Sequence, residues 1–206
     1  MIPALEALER LQVGNRRFIE GRQSHREFTL KDQLEASARG QQPFAVVVGC
    51  SDSRVPAEIV FDQGIGDLFV IRVAGNIVAP SQIGSVEFAA EQFGTQLVVV
   101  LGHSSCGAVI ATLDQLHRPT ENRSPNLFAI VDRIRPSVEG LLGTNLEDDP
   151  EALLHACVRA NVRSSVAQLR SGSKILETLI AQEKLIVVGA EYSLSTGLVE
   201  FFEGVR

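Results

Sequence analysis

The sequence lacks an excess of positive charge: 19 Lys and Arg stand against 25 Asp and Glu, a formal charge of −6. No basic face is implied, so nucleic acid is a poor candidate partner. No apolar run approaches the roughly 20 residues that a membrane helix needs, so no membrane role is expected. The opening stretch MIPALEALERLQVGNRRF places acids and bases every few residues and has no apolar core of the signal-peptide kind, which predicts a cytoplasmic protein. Cysteine is scarce. Three residues, Cys50, Cys106 and Cys157, make an odd count that argues against a disulfide framework. No internal repeat or low-complexity tract appears. There is neither a GxGxxG after the first apolar run nor a Walker loop, and GIGDLF (64–69) precedes a strand rather than a helix, so a dinucleotide-binding module is excluded. Tryptophan is absent altogether.

What is present reads as one domain over 1–206. Hydrophobic residues make up 45% and charged residues 21%, enough for a core. Four β-branched runs stand out: FAVVVG (44–49), LFVIRVAG (68–75), QLVVVLG (96–102) and KLIVVG (184–189), each ending in glycine. Continuous apolar runs of this length suit strands buried on both faces of a parallel sheet. Helical patterns lie between them. SVEFAAEQFG closes on Gly94 as a helix-ending glycine. A long amphipathic stretch from 151 to 184 is broken near Gly172, and Asp149 and Pro150 form its N-cap and first turn. Segments 118–126 and 143–151 read as loops. The first 35 residues read as a helix plus a polar extension, an arm that packs on the domain or on a second subunit. Strands alternating with helices predict an α/β fold with a mainly parallel sheet.

In such sheets ligands sit beyond the carboxyl ends of the strands. There stand Cys50, after the first run, and HSSC, with His103 and Cys106, after the third. Two thiols and one imidazole suit Zn²⁺, and three protein ligands leave open the fourth position that marks a catalytic site. Each residue alone also reads as a small buried hydrophobe or a satisfied core histidine; the paired placement favours the metal. Cys157, in mid-helix, reads as core, and His25, His117 and His155 as surface or boundary residues. In VVVGCSDSRVP (46–56) Asp52 and Arg54 follow Cys50 at alternate positions and share its face. They form either an ion pair steadying the turn before Pro56, or a carboxylate that orients a metal-bound hydroxide while Arg54 keeps it off the metal.

CSDSR followed some fifty residues later by GHSSCGAV resembles the β-class carbonic anhydrases, and the resemblance covers nearly the whole chain: ALERLQVGNRRF, FDQGIGDLFVIRVAGN, GSVEFAAEQFG and VGAEYSLSTGLVEFF resemble that family's N-terminal helix, middle and last strands. It implies four parallel strands with a C-terminal antiparallel edge strand, and a zinc lyase hydrating CO2 to bicarbonate. One Zn²⁺ per chain would be held by Cys50, His103 and Cys106, with Asp52 and Arg54 as the catalytic dyad. Gln41, Phe69, Ala74, Phe88 and Gly107 match substrate-pocket positions. The family's unit is a homodimer, often paired into a homotetramer, in which the N-terminal arm (1–35) packs on the partner subunit. Some relatives with this site hydrolyse carbon disulfide or carbonyl sulfide instead, and an inactive zinc-binding structural or carrier homologue is a further alternative. Some members shut down by binding bicarbonate in a side pocket built from a tryptophan, an arginine and a tyrosine. Arg72 and Tyr192 match the last two, but Val47 occupies the tryptophan position. That pocket is therefore expected to be absent or weak, and Asp52 to rest on Arg54.

Overall fold

The computed structural model describes residues 2–24, 29–118 and 124–205, apart from the Arg39 side chain. His25 and the middle of the 118–126 loop lie outside the described residues. Five strands form one sheet: β1 (Ala45–Gly49), β2 (Leu68–Arg72), β3 (Leu97–His103), β4 (Ile186–Tyr192) and β5 (Val199–Glu203), in the order β2-β1-β3-β4-β5. Pairing is parallel through β4 and antiparallel between β4 and β5, as expected. The helices are α1 (Ala4–Ile19), α2 (Leu30–Arg39), the single turn α3 (Ala57–Val60), α4 (Pro80–Phe93), α5 (Gly107–His117), α6 (Pro125–Val138), α7 (Pro150–Ser171) and α8 (Lys174–Ala181).

The valine-rich strands are buried on both faces. Ala45, Val47, Leu97, Val99, Leu101, Val188 and Ala190 pack under Ala7, Leu8 and Leu11 of α1. Val46, Val48, Val98, Val100 and Val187 face α4, α7 and α8 through Val86, Ala89, Val162, Val166 and Leu176. A third apolar layer, with Val109, Ile134, Leu153 and Cys157 from α5, α6 and α7, gathers beyond the strand ends.

The punctuation residues act as their chemistry requires. Gly94 ends α4 in the left-handed region at φ 62°. Asp149 caps α7, accepting from the amides of Glu151 and Ala152 at 3.1 Å each, with Pro150 in the first turn. Helix α7 stops at Ser171, and Ser173 caps α8. Three elements escape the sequence reading: α2, within and beyond what reads as a polar extension, the single turn α3, and α6, whose pattern is interrupted by Pro136 near its end.

Helix α1 is tied to its own chain by Asn15, only 3% exposed. Its Nδ2 donates to the carbonyls of Val60 (3.1 Å) and Gly197 (2.9 Å), and its Oδ1 accepts from the amide of Val199 at 2.9 Å. One side chain thus joins α1, α3 and the β4–β5 hairpin. Asn15→Ala would leave three backbone groups without this partner, the Val60 carbonyl and Val199 amide in buried bonds and the Gly197 carbonyl in a part-buried one. A loss of about 3 kcal/mol is expected, read as a lower midpoint at unchanged m-value in chemical denaturation. A loss below 0.5 kcal/mol would refute this account.

Candidate metal centre

The chain's progress across the sheet reverses after β2. The chain steps from β1 outward to β2, then returns to lay β3 on β1's other side. That switch point opens a crevice at the strand ends, and Cys50 and His103 stand on its two walls. Gly49 lies level with Leu101, so Cys50 leaves the sheet beside Gly102 and His103. Cys106 follows two turn residues, one of them Ser105 at φ 55°, and immediately precedes α5.

The ligand atoms of Cys50, His103 and Cys106 all lie within 4.8 Å of one another, and all three residues are buried. Among the described residues no other such group converges. His103 Nδ1 sits 2.9 Å from the carbonyl oxygen of Ser104, which fixes the proton on that nitrogen. Nε2 is left facing the cluster, buried and without a hydrogen-bond partner. A buried acceptor without a donor, aimed at two thiols, fits a soft divalent cation such as zinc.

Cys50 is held below the ordinary thiol range, first because the Cys106 thiol donates to it. Burial opposes this, and His103 and the amides of Asp52 and Gly75 add to the lowering. The same contact pushes Cys106 upward, with burial adding to it. For His103, burial disfavours the charged form, but the neighbouring Cys50 outweighs it and the net shift is upward. Cys157 is different: burial pushes it up to about 11, and it has the core position expected.

Asp52 is gripped by Arg54 three times. Arg54 Nε donates to Oδ1 (2.9 Å), Nη2 to Oδ2 (2.7 Å), and the Arg54 amide to Oδ1 (2.9 Å). The guanidinium keeps the carboxyl well below the usual carboxylate range. Oδ2 nevertheless lies only 3.8 Å from His103 Nε2, so the carboxylate borders the centre while resting on the arginine.

Arg72 does something the sequence reading missed. Its Nε donates to the carbonyl of Cys50 at 3.0 Å and its Nη2 to the carbonyl of Asp52, so it holds the backbone of the loop that carries both groups. Only its place at the end of β2, next to Gly49 in register, reveals this. Val47 and Tyr192 are buried in the layer under α1.

The other sequence candidates divide. Ala74 lies in the 3-10 turn beside Cys50, and Gly107 opens α5 next to Cys106. Phe69 sits level with Val46, four residues before Cys50, and packs with Phe88 and Phe93 at centroid distances of 6.2 and 6.1 Å. Phe88 is half exposed on α4. Gln41 precedes the amino end of β1, the end remote from Cys50. These three are not brought to the centre within one chain. His117 and His155 are exposed and pair with Glu147 and Glu191, consistent with surface roles.

A mostly parallel open sheet, three side chains at its switch point that could hold a soft metal and an arginine-held carboxylate beside them define an α/β protein with a candidate catalytic metal site. The comparisons narrow the class. The carbonic anhydrase family model matches residues 45–199. Carbonic anhydrase 2 of Mycobacterium tuberculosis is 40% identical over 193 residues, covering 93% of this chain and 89% of that protein. A carbonic anhydrase of Mycolicibacterium smegmatis is 40% identical over 200 residues, covering 94% and 91%. A solved structure of the β-carbonic anhydrase CcaA superposes with a TM-score of 0.75 at 25% identity, covering 98% of this chain and 93% of that one. The chain belongs to the β-class carbonic anhydrase family.

Arg72→Met keeps the aliphatic stem and removes both carbonyl bonds. Faster hydrogen exchange at the amides of Ser53 and Arg54 is expected, with a stability loss of about 1 kcal/mol. Unchanged exchange at those amides would show that Arg72 does not hold the loop.

Proposed function

We propose that this protein is a zinc-dependent carbonic anhydrase that interconverts CO2 and bicarbonate, with one Zn²⁺ per chain on Cys50, His103 and Cys106. The observation that carries the reading is the unpartnered His103 Nε2 facing two buried thiols beside an arginine-held carboxylate. Two thiolates and a neutral imidazole leave a tetrahedral ion one free position. When bound, zinc supplies a Lewis acid able to bring the pKa of water down toward about 7.

The chain's own residues do the rest. Asp52, kept ionised by Arg54, accepts a hydrogen bond from the attacking water and so aims its lone pair at CO2. The Arg54 clamp also restrains Asp52 from moving onto the metal. The amide of Gly107, at the start of α5, faces the negative charge that develops on the substrate oxygens, where the helix N-terminus favours it. Ala74 contributes to the apolar wall.

In this proposal Gln41, Phe69 and Phe88 complete the substrate pocket from a second copy, since their own chain holds them away from Cys50. A homodimer is the working unit, and two dimers can pair into a tetramer. The exposed leucines of α2, Leu30 and Leu34, and the half-exposed Phe88 support such an interface. Within the arm (1–35), α1 covers its own sheet, and α2 begins the part left for the partner. A reducing compartment such as the cytoplasm would keep the three cysteines as thiols. No described helix is long and apolar enough to cross a membrane.

Stopped-flow CO2 hydration, with zinc measured on the same sample, tests the reading. Cys106→Ser and His103→Ala are expected to lose zinc and activity together. Asp52→Asn is expected to keep one zinc per chain and lose roughly 100-fold in rate. Normal hydration by that variant would remove Asp52 from the mechanism. Wild-type protein with full zinc that turned over carbon disulfide or carbonyl sulfide but not CO2 would replace the substrate assignment.

A further inference from the structure

Polar side chains buried in an apolar helix face need partners, and what they bond to shows their use. On α7, Asn161 and Ser165 are each 2% exposed, set among the buried Val158, Val162 and Val166. Their spacing of four puts them on one face. Both reach the same short turn. Asn161 Nδ2 donates to the carbonyl of Gly75 at 2.8 Å, and Ser165 Oγ donates to the carbonyl of Asn76 at 3.0 Å.

That turn, Ala74–Asn76, holds two successive left-handed residues, Gly75 at φ 68° and Asn76 at φ 44°. A side chain at Gly75 would meet Ile134 Cδ1 at 2.8 Å and Ala108 Cβ at 2.9 Å, so α6 and α5 close on it as well. The turn is thus fixed by contacts on one side and by two hydrogen bonds from α7. Its Gly75 amide donates to Cys50 Sγ at 3.4 Å.

We infer that Asn161 and Ser165 are positioning residues of the metal centre: they hold the Gly75–Asn76 carbonyls so that the Gly75 N–H stays aimed at the Cys50 sulfur. The inference rests on the assignment of Cys50 as a zinc ligand. Neither residue touches the cluster; both act through the turn. The need is electrostatic. Two thiolates cancel the charge of a divalent cation and weaken it as a Lewis acid. An amide hydrogen bond draws electron density from one sulfur and restores part of that acidity, as outer hydrogen bonds do at other thiolate centres.

The test uses full-length protein loaded with Co²⁺ in place of zinc, reading the sulfur-to-cobalt charge-transfer band and the metal affinity by chelator competition. Asn161→Leu and Ser165→Ala are the variants. Val166→Ala, on the same helix but packed on the sheet, controls for general destabilisation. In both variants the band is expected to move to lower energy and affinity to fall by roughly 10-fold, whereas Val166→Ala lowers Tm and leaves both unchanged. If Asn161→Leu fails to fold, Ser165→Ala, which deletes a single oxygen, carries the test. An unmoved band and wild-type affinity in the folded variants would overturn the inference while leaving the metal assignment intact. A wild-type protein with no sulfur-to-cobalt band would instead overturn the assignment of Cys50, and this inference with it.

Discussion

Across the β1–β3 pair, Val47 lies level with Val99 and Gly49 with Leu101. The entire site hangs on this register. Because side chains alternate faces, a slip of one residue would turn every valine of β1 to the opposite layer and carry Cys50 away from His103. The register is held from both sides. Val47, Val99 and Leu101 pack under α1, while Val46, Val48, Val98 and Val100 pack against the helices of the other face. Two fully buried layers leave no alternative pairing of comparable stability. The core therefore sets the distance between Cys50 and the His103–Cys106 pair, the two halves of the candidate metal centre.

Charge at the site is managed by two arginines with different tasks. Arg54 meets the Asp52 carboxylate in a planar two-pronged pair, a geometry that lysine could not reproduce. Arg72 takes main-chain carbonyls on either side of Ser51 and fixes where that carboxylate starts from. The pair explains how Asp52 can border the centre and still be restrained from it.

The fold was largely legible because its strands are short, β-branched and continuously apolar, and because Gly94, Asp149, Pro150 and Gly172 mark helix ends by chemistry that is local. The centre was legible for a related reason. Strand ends are where ligands gather in such sheets, and the Cys50 and His103–Cys106 segments both follow strand glycines. Helix α6 was not legible, since Pro136 and the turn-rich residues before it mask its period. The roles of Arg72, Asn161 and Ser165 were hidden too. Their partners are backbone groups 20 to 89 residues away, which no local pattern records. Why Gln41, Phe69 and Phe88 stand apart from the centre also becomes visible only once strand order is known.

The knot of bonds around Asn15 bears on how the chain is made. Its partners at Gly197 and Val199 lie 182 and 184 residues further on, and β4, which pairs with β3 on one side and β5 on the other, leaves the ribosome well after β3. During synthesis the first helix has only part of its anchorage, and the edge of β3 waits uncovered for its neighbour. Long-range pairing of this kind is slow to form and exposes strand edges while it waits. The nascent chain would therefore be most vulnerable to aggregation in the interval before β4 emerges, and chaperone capture during that interval would protect the unpaired edge of β3.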